Sequence, residues 1–383
     1  MQQIRLLYVS SLCSKTMGLK LLELDPNSYG FQIQKYHSLL VKGLCKNGVT
    51  VEALSHPKNI EKLAALECLT DQENGIHYTY LTKGKGGYLQ LLWNSFSSTY
   101  RYLKLYRSAF VICDVLSFTS SLGAAIAARM LQRKMLGIIT DFPEQITGKQ
   151  DLNSRLIWSL VRLCTGYIVL TEQMKERLSS KKPVIVLEGH IDSDMLQSEN
   201  TMDKKYKNKV CLYAGALHKK YGVEKMVKAF VTADMNEAEL HIYGDGDYVE
   251  DLKKLDHNSI KYLGVIPNEE ITAEELKATV LINPRPSDAE FTKYSFPSKN
   301  MEYMASGTPV LTTKLPGMPE EYLEHVYIFN NESIEGMSRT LKEVLTKSRK
   351  ELHQKGLAAK KFVLENKTET IQARKILEFV QQD

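Results

Sequence analysis

The sequence predicts an α/β protein made of two doubly wound domains, each built on a parallel β-sheet. Short apolar runs of the length of buried strands alternate with amphipathic helical segments along most of the chain, which is the pattern of such sheets. The 383 residues suit two domains of about 150–200 residues, each large enough for its own core. A polar segment, residues 197–208, has almost nothing to bury, so we interpret it as the linker between the domains.

The first domain is expected to span residues 1–198. Its first strand is predicted at residues 4–10, and a helix at residues 32–46 has one apolar stripe and ends at Asn47-Gly48. Later apolar runs bounded by turn residues have the composition of buried strands. These predicted strands are residues 49–54, 111–116, 136–140, 166–170 and 184–187.

The second domain, residues 209–365, repeats this alternation. A strand opens it at Val210, and a loop with a glycine and two lysines follows before the next helix. A final helix is predicted in a separate C-terminal segment, residues 366–383. The further predicted elements are strands at residues 240–243, 260–264 and 280–283, and the final helix at residues 368–380.

The stretch from Val280 to Thr313 gives the most specific prediction. Residues 280–283 and 309–312 have the pattern of buried strands, and residues 297–306 that of a helix between them. Proline is tolerated in the first turn, where N–H groups have no intrahelical partner, and Gly307 ends the helix in a left-handed conformation. The helix therefore begins at the carboxyl edge of the sheet, where open α/β folds bind ligands and free N–H groups favour phosphate.

Side chains near the start of that helix suit a phosphorylated ligand that also carries hydroxyl groups. Lys299 places a cation where the helix dipole favours an anion, which is understandable if a bound anion lies beside it. Glu302 lies one turn further on, on the same face as Ser298 and Lys299. The pattern therefore indicates a site for a phosphate and for hydroxyl groups next to it.

The same stretch resembles the donor-site motif of the family 4 retaining glycosyltransferases, which have the GT-B fold. In that family, two glutamates separated by seven residues bracket a phenylalanine-containing turn. Glu302 matches the second glutamate, whereas Tyr294 occupies the position of the first, and Glu290 is the candidate replacement. The form Phe-Pro-Ser-Lys is similar to that of bacterial cell-surface polysaccharide transferases. The small residue, glycine, proline and valine that follow the motif are matched by Ala305, Gly307, Pro309 and Val310.

The resemblance implies a retaining glycosyltransferase that uses a nucleotide-diphosphate sugar, with UDP or GDP sugars expected, and a saccharide or lipid-linked acceptor. It implies two Rossmann-like domains facing across a cleft, a final helix that crosses back to the first domain, and no metal cofactor. The expected donor-binding residues are Gly215, Lys219, Lys220, Gly244, Val265, Tyr294, Ser295, Phe296, Pro297, Ser298, Lys299 and Glu302. The expected catalytic residues are Asp141, Glu290 and Lys299, and Thr140 and His190 are expected on the acceptor side or in the cleft.

The loop after Val210 supplies candidate phosphate ligands. A glycine at position 215 would let its backbone N–H approach a phosphate closely. The family has an arginine and a lysine at the positions of Ala216 and Tyr221, so Lys219 and Lys220 are displaced by one or two residues. An ordinary solvated lysine pair is the alternative interpretation.

Other candidate residues have an ordinary alternative as well. Asp141 is either a contact of the transferred sugar or acceptor, or a turn or capping residue. His190 is either a proton shuttle or a structural histidine, and Val265 reads a nucleobase through its backbone or lies in a plain turn. Two Asp-x-Asp sequences, at residues 192–194 and 245–247, have the paired carboxylates that divalent cations favour, but we interpret both as turns.

The amino-acid composition limits which functions and cellular locations are expected. Apolar residues make up 43% and charged residues 25% of the chain, and the net charge is +5, values that do not call for a nucleic-acid partner. Six scattered cysteines without zinc-ligand spacing are expected to be free thiols in a reducing compartment. The weakly apolar N-terminus and the absence of a long apolar run predict a cytoplasmic location. A sugar-nucleotide epimerase of the same fold and a non-catalytic nucleotide-sugar-binding subunit remain as alternatives.

The segment from Gly75 to Cys113 predicts a contact with a membrane surface. Its 39 residues include no Asp or Glu but six tyrosines and Trp93. A stripe of this kind is usually core-facing, but basic residues bind anionic lipid and Trp and Tyr favour the interface. We expect this face to dock on the inner leaflet of the cell membrane, close to a lipid-linked acceptor. The basic residues are Lys83, Lys85, Arg101, Lys104 and Arg107, and the apolar residues at helical spacing are Leu92, Trp93, Phe96, Tyr100 and Leu103.

Overall fold

A computed structural model describes residues 4–25, 31–63, 69–144, 151–178, 181–197 and 199–382. The chain divides into two compact units. Unit 1 consists of Met1–His190 together with Glu369–Asp383, and unit 2 consists of Ile191–Thr368. Each unit has a mainly or fully parallel sheet with helices between its strands. The predicted fold class, two doubly wound parallel-sheet domains, is therefore confirmed.

Unit 1 is built on an eight-stranded sheet with the strand order β3-β4-β2-β1-β5-β6-β7-β8. Neighbouring strands are parallel except for the antiparallel pair β3 and β4 at one edge. The strands are β1 (Arg5–Ser10), β2 (Thr50–Ser55), β3 (Thr70–Glu73), β4 (Ile76–Tyr80), β5 (Phe110–Asp114), β6 (Met135–Ile139), β7 (Gly166–Val169) and β8 (Val184–Val186). The sequence pattern gives all of these within about two residues except β3 and β4.

The hairpin of β3 and β4 is indicated in the sequence by its turn residues and not by apolar runs. Asn74 and Gly75 lie between the strands with φ values of 53° and 80°, the backbone of a tight two-residue hairpin turn. The strand before this turn is partly or fully exposed along its length, because it is an edge strand, and so it lacks the apolar run of a central strand.

The described helices of unit 1 before residue 190 lie in the connections between these strands. Their apolar faces form one core with the sheet, in which Leu6, Leu40, Leu44 and Ile112 are fully buried. The helix predicted at residues 32–46 is confirmed as α2. These helices are α1 (Lys15–Leu24), α2 (Phe31–Lys46), α3 (Gly87–Leu105), α4 (Phe118–Met130), α5 (Leu152–Leu163) and α6 (Glu172–Leu178).

Unit 2 is built on a six-stranded parallel sheet with the order β11-β10-β9-β12-β13-β14. The chain moves outward from β9 in one direction, then returns to the other side of β9 at β12. Ligands of open α/β sheets bind outside the carboxyl ends of the strands at such a switch point. The strands are β9 (Lys209–Ala214), β10 (Ala238–Tyr243), β11 (Ile260–Tyr262), β12 (Val280–Asn283), β13 (Val310–Thr313) and β14 (Tyr327–Phe329).

The helices of unit 2 include the one predicted between β12 and β13. That helix, α10, begins one residue after the predicted start, and Gly307 at its end is left-handed with φ of 78°, as expected. β12 has the predicted bounds, and β13 is shifted by one residue. The helices are α7 (Val223–Ala233), α8 (Val249–Lys253), α9 (Asn268–Lys277), α10 (Ser298–Ser306), α11 (Ile334–Thr346) and α12 (Arg349–Asn366).

The segment predicted as a linker, residues 197–208, packs on unit 2 instead. The side-chain amide of Asn200 and the ammonium of Lys205 each donate a 2.9 Å hydrogen bond to the hydroxyl of Thr308. Unit 2 begins at Ile191, before the predicted boundaries at residues 198 and 209; residue 198 itself lies outside the described residues. The composition of the segment was misleading because polar side chains help to attach it to unit 2.

The last helix, α13 (Glu369–Gln381), belongs to unit 1 and packs against α2. A Cβ on Gly43 of α2 would lie 2.1 Å from the backbone oxygen of Glu369, so the two helices are in close contact. Lys46 lies 2.8 Å from the fully buried carboxylate of Glu369. The predicted final helix therefore forms, and it returns to the unit that contains the N-terminus.

No described helix combines the length and apolar character that crossing a bilayer requires. The cysteines that the structure describes are all free thiols, and Cys68 lies outside the described residues. These free cysteines are Cys13, Cys45, Cys113, Cys164 and Cys211.

Candidate functional site

The candidate site lies at the carboxyl edge of the unit 2 sheet. The loops after β9, β10 and β12 reach this edge, and the first turn of α10 begins there. Gly215 follows β9, Gly244 follows β10, and residues 284–297 lead from β12 to α10. The edge includes the switch point between β9 and β12, so it is where this fold places a ligand.

Two glycines hold the loops after β9 and β10 together. The N–H of Gly215 donates to the oxygen of Tyr243 at 3.0 Å, and the N–H of Gly244 donates to the oxygen of Gly264 at 2.8 Å. Gly244 has φ of 132°, and a Cβ on it would lie 1.8 Å from the oxygen of Gly215. The expectation that the Gly215 N–H approaches a phosphate is wrong, because the sheet ladder continues beyond the strand and uses that N–H.

Gly215 instead provides room for the side chain of Lys299. A Cβ at position 215 would lie 3.0 Å from Cε and 3.2 Å from Nζ of Lys299. The Lys299 ammonium also lies 5.4 Å from the ring centroid of Tyr303. Tyr303 is fully buried, and its hydroxyl bonds both the N–H (3.0 Å) and the oxygen (3.2 Å) of Ala214. The end of β9, α10 and Lys299 are thereby fixed relative to one another.

The N-terminus of α10 has no side-chain cap among the described residues. Its N-cap residue is Pro297, and its first turn has no acidic residue. In contrast, α1, α5, α11 and α12 each begin with a Ser or Asp side chain that accepts a first-turn N–H. The positive end of the α10 dipole and the nearby Lys299 ammonium therefore favour an anion at this position.

A buried polar network fixes α10 between its two neighbouring strands. Asn283, at the end of β12, donates to the side-chain oxygen of Asn300 at 2.7 Å, and Asn300 donates to Thr312 of β13 at 3.2 Å. All three side chains are buried. A satisfied buried network makes a site rigid, and it was not among the predicted site residues, although Asn283 is a polar residue ending an otherwise apolar run.

The glutamates and the tyrosine of the motif lie in different surroundings. Glu302 is half-buried, one turn along α10 from Lys299. Glu290 is exposed at the start of a short 3-10 helix, and its carboxylate lies 3.0 Å from the ammonium of Lys293 in the same helix. Tyr294 ends that helix and is half-buried. The catalytic role of Glu290 and the ligand roles of Glu302 and Tyr294 stay predictions.

The two lysines of the loop after β9 have local partners. The ammonium of Lys219 lies 2.7 Å from the carboxylate of Asp251, and this hydrogen-bonded ion pair raises the pKa of Lys219. Lys220 is exposed, with its ammonium 5.1 Å from the ring centroid of Tyr221. A phosphate would therefore have to compete with Asp251 for Lys219, whereas Lys220 faces no such competition from that carboxylate.

The remaining expected donor residues differ in accessibility. Val265, after β11, is 71% exposed, so it is open to a ligand. Phe296 is buried, with its ring centroid 5.3 Å from that of Tyr322, and it anchors the start of α10 where a ligand contact was expected. Ser298 is exposed, whereas the hydroxyl of Ser295 donates to the oxygen of Phe291 at 3.1 Å.

Unit 1 places Thr140 and Asp141 at the carboxyl end of β6, where both are half-buried. The next residue, Phe142, is buried, with its ring centroid 5.6 Å from that of Trp158 and 4.5 Å from the guanidinium carbon of Arg177. This anchored ring fixes the loop just before residues 145–150, which lie outside the described residues. The roles expected for Thr140 and Asp141 stay predictions.

His190 does not have the surroundings of a proton shuttle. Its Nε2 lies 2.7 Å from the backbone oxygen of Tyr36, so Nε2 carries the proton. Its Nδ1 is buried and has no hydrogen-bond partner among the described residues. Burial lowers the pKa of His190 to about 4, and the imidazole is therefore neutral at pH 7. We correct the expected role of His190 to a structural one.

A buried polar cluster next to His190 was not expected from the sequence. The hydroxyl of Tyr8 lies 2.5 Å from Nδ1 of His37, and Nε2 of His37 lies 3.7 Å from the carboxylate of Asp114. Burial raises the pKa of Asp114, but the nearby His37 imidazole and hydrogen bonds from the Leu116 N–H and the Ser117 hydroxyl outweigh it, so the pKa is lowered overall. Asp114 therefore stays charged and holds the turn into α4.

The two Asp-x-Asp sequences form turns. Asp192 accepts the N–H of Asp194 at 2.9 Å, and Asp245 accepts the N–H of Gly246 at 2.8 Å. Asp247 accepts the N–H of Lys219. In the part of the chain that the structure describes, no three His, Cys, Asp or Glu side chains are grouped as metal ligands.

The apolar stripe expected along α3 lies at the margin of its buried face: Trp93 is exposed, Leu92, Phe96 and Tyr100 are half-buried, and Leu103 is fully buried. Close contact with α4 accounts for this, because a Cβ on Gly123 would lie 2.5 Å from the oxygen of Leu92. Trp93 is 63% exposed, and its ring begins a row with Phe96 and Tyr100 whose successive centroids are 5.5 and 5.8 Å apart. The buried face of α3 consists mainly of smaller side chains: Leu91, Ser95, Thr99 and Leu103.

Solved structures share this architecture over the whole chain. Sucrose-phosphate synthase from Thermosynechococcus elongatus matches with a TM-score of 0.70 and 15% identity, covering 99% of this chain and 98% of that one. Anabaena HepE in complex with UDP matches with a TM-score of 0.70 and 13% identity, covering 99% and 100%. The lipopolysaccharide outer core galactosyltransferase WaaB matches with a TM-score of 0.63 and 14% identity, covering 99% of each chain. At these identities the likeness shows the fold, which is GT-B.

A family match covers most of unit 2. Residues 197–362 match the family described as Glycosyl transferases group 1. The matched segment contains the loops after β9 and β10, together with Lys299 and Glu302 on α10. A comparison with curated proteins gives no significant sequence match.

Proposed function

We propose that the protein is a glycosyltransferase that takes its sugar from a nucleotide-diphosphate donor bound by unit 2. One observation carries the proposal: the start of α10, which has no side-chain cap, and the Lys299 ammonium meet beside Gly215 at the switch point of the sheet. A helix N-terminus and a cation in one place suit a diphosphate. The family match over residues 197–362 supports the same assignment.

The diphosphate is the leaving group of such a transfer. As the bond between the anomeric carbon and the diphosphate oxygen breaks, negative charge grows on the terminal phosphate. Lys299 and the α10 dipole stabilise this charge, and a preorganised electrostatic contact of this kind lowers the barrier most when it is held rigidly. The Asn283–Asn300–Thr312 network and the Tyr303 hydroxyl supply that rigidity.

Glu302 is assigned to the ribose of the donor. It lies one turn further along α10 than Lys299, so a nucleoside joined to a diphosphate at the helix start reaches it. An ionised carboxylate accepts hydrogen bonds from two neighbouring hydroxyls, and hydrogen bonds to a charged group contribute about 1.5–3 kcal/mol each.

The finer assignments rest on resemblance. HepE has been solved with UDP and with UDP-glucose, which supports a UDP sugar as the donor here, and the family resemblance also allows a GDP sugar. Retention of configuration follows from the family 4 motif around Glu302. A role in cell-surface polysaccharide synthesis is supported by the Phe-Pro-Ser-Lys form of that motif and by the structural likeness to WaaB, a lipopolysaccharide outer core galactosyltransferase. We therefore assign a saccharide or lipid-linked acceptor.

A lipid-linked acceptor requires part of the protein to approach a membrane, and we assign this contact to α3. Its aromatic row, which begins at the exposed Trp93, has no acidic neighbour between Gly75 and Cys113. The basic residues at the end of the helix are exposed, and each contributes about 1 kcal/mol near anionic lipid. These residues are Arg101, Lys104 and Arg107.

Co-sedimentation with vesicles tests this contact. Binding to anionic vesicles at low salt is expected, with weaker binding at high salt or to neutral vesicles, because exposed charges are screened by salt. Replacing Arg101, Lys104 and Arg107 together by serine should reduce the bound fraction. No binding to anionic vesicles at low salt, or equal binding by the triple variant, would place the contact elsewhere.

A non-catalytic nucleotide-sugar-binding subunit is the second candidate, because Tyr294 takes the place of the first glutamate and Glu290 is paired with Lys293. Incubation with UDP, GDP and ADP sugars distinguishes the two. A transferase releases nucleoside diphosphate slowly by transfer to water, and the anomer formed first, observed by proton NMR, should retain the donor configuration. Donor binding without release, and without transfer to any saccharide offered, would favour the binding subunit.

A further inference from the structure

A basic cavity lies in unit 1, at the opposite edge of its sheet from Thr140 and Asp141. Its volume is about 260 Å³, and it is lined by the end of α4 and by the residues that begin β6 and precede β7. Met135 begins β6 and Thr165 precedes β7, so the cavity lies at the amino edge of the sheet. This cavity has no part in the proposed donor site of unit 2.

Three cations line the cavity: Arg129, Arg133 and Lys134. No Asp or Glu is among its described lining residues. The wider surroundings in sequence are equally poor in acids, because Asp114 is the only acidic residue between positions 74 and 140, and it is buried beside His37. The cavity therefore has a positive field that no lining carboxylate compensates.

The cations are placed by the way α4 ends. Gln132 is left-handed, with φ of 53°, and its N–H donates to the oxygen of Arg129 at 3.1 Å. The N–H of Arg133 donates to the oxygen of Ala128 at 2.8 Å. These two bonds form a Schellman ending and satisfy helix carbonyls through the backbone. The arginine side chains are therefore not required as caps.

One polar atom of a lining residue lacks a partner. Nε of Arg133 is buried and has no hydrogen-bond acceptor among the described residues. The ammonium of Lys134, in contrast, donates to the oxygen of Val380 at 2.9 Å, which fixes its position. A buried guanidinium N–H without an acceptor is unfavourable, so Arg133 has more to gain from a nearby anion than Lys134, whose ammonium already has a carbonyl partner.

We propose that this cavity binds a phosphate ester. Guanidinium groups pair two N–H donors with two phosphate oxygens, and Arg129, Arg133 and Lys134 together supply the charge. The volume is just below the range of small-molecule sites, so it suits a phosphate with a short ester fragment better than a nucleotide. The rest of the wall accommodates the carbon atoms of the ester through apolar side chains: Ala125, Ala128, Met135 and Leu163.

The ester belongs either to a phospholipid headgroup or to a soluble phosphate monoester, and titration tests the chemistry they share. Every protein used in this titration carries Lys299→Ala, which removes the phosphate contact proposed for unit 2. Phosphate binding in unit 1 is thereby tested separately from the donor site proposed for unit 2. Calorimetric titration with inorganic phosphate and with glycerol 3-phosphate, at constant ionic strength, should show saturable binding. The double variant Arg129→Gln/Arg133→Gln should bind about tenfold more weakly or worse.

The matched control is Arg155→Gln/Arg374→Gln, which removes the same charge from exposed arginines of α5 and α13. It should bind like the background protein. Equal affinities of the two double variants, or no saturable binding in the background protein, would overturn the proposal. If the double glutamine variant does not fold, Arg133→Lys replaces it, because it keeps the charge but loses the paired donors and should still weaken binding.

Vesicles identify the source of the ester. If the ligand is a lipid headgroup, the background protein and the control variant should co-sediment with phosphatidylglycerol vesicles. The Arg129→Gln/Arg133→Gln variant should not. The site is assigned to a soluble monoester if the background protein binds glycerol 3-phosphate and both double variants bind the vesicles with the same affinity. Either result supports the phosphate-ester site.

Discussion

Replacing Gly215 by alanine is expected to separate folding from donor binding. The new Cβ would lie 3.0 Å from Cε and 3.2 Å from Nζ of Lys299, and 3.2 Å from the hydroxyl of Tyr213. A shift of the flexible lysine by a few tenths of an ångström relieves most of this contact, and Gly215 is not a positive-φ glycine. We therefore expect the free energy of unfolding to change by about 1 kcal/mol or less.

Donor binding should change more than folding, because the displaced group is the ammonium proposed to contact the diphosphate. A hydrogen bond to a charged group contributes about 1.5–3 kcal/mol, and a displacement of a few tenths of an ångström weakens it without removing it, so binding should weaken by roughly three- to tenfold. The assay is calorimetric titration with UDP and GDP, together with thermal unfolding of the same samples. A Gly215→Ala protein that unfolds like the parent and binds both nucleotides as tightly would refute the assignment of Lys299.

The neighbouring glycine provides the control. At Gly244 a Cβ would lie 1.8 Å from the backbone oxygen of Gly215, and φ is 132°, a conformation that is strained for other residues. Backbone atoms would have to move, so Gly244→Ala should lower the free energy of unfolding by about 3 kcal/mol or more. Unchanged stability of this variant would contradict the geometry of the two loops.

Two further predictions concern Glu302 and His190. Glu302→Ala should fold normally and bind the nucleoside diphosphate roughly ten- to hundredfold more weakly. The control Glu343→Ala, at an exposed position of α11, should bind it like the parent. Equal affinities of the two variants would contradict a contact between Glu302 and the ribose. The pKa of His190 is lowered to about 4 by burial, so between pH 4 and 6.5 the unfolded chain binds more protons than the folded one. Stability should therefore fall as the pH is lowered through this window, by up to about 3 kcal/mol from this residue, and His190→Gln should flatten the dependence in urea unfolding measured at several pH values. An identical slope for the parent and the variant would contradict the neutral, buried imidazole.

The central strands could be predicted from the sequence because both of their faces are buried. β12 has the predicted bounds, and α10 and β13 differ by one residue, since an apolar run, a proline and a glycine each leave a direct mark on the sequence. The hairpin of the edge strand β3 and its neighbour β4 leaves a weaker mark, because β3 is largely exposed, and the Asn74-Gly75 turn is what indicates it.

The errors at the site have physical causes that single residues do not show. The glycine after β9 was expected to offer its N–H to phosphate, but the hydrogen-bond ladder to Tyr243 extends one residue beyond the strand. Residues 197–208 have few apolar side chains, yet Asn200 and Lys205 attach them to unit 2 through Thr308. In both cases the partner is distant in sequence, so composition and periodicity cannot predict the contact.

The incomplete burial of the α3 stripe, from the exposed Trp93 to the buried Leu103, has a similar origin. Helical spacing identifies Trp93, Phe96 and Tyr100 as one face, but it does not say which face meets the core. That choice depends on α4, whose Gly123 allows such close approach that smaller side chains of α3 fill the interface.

The comparison of a nucleoside diphosphate with its nucleoside tests the central claim most directly. If Lys299 and the start of α10 hold the diphosphate, Lys299→Ala should weaken UDP or GDP, whichever the parent binds, by roughly tenfold or more, and leave the affinity for uridine or guanosine unchanged. Lys228→Ala, at a lysine of α7 paired with Glu224, should change neither affinity. Equal weakening of the nucleotide and the nucleoside by Lys299→Ala, or no weakening of either, would contradict a diphosphate site at α10.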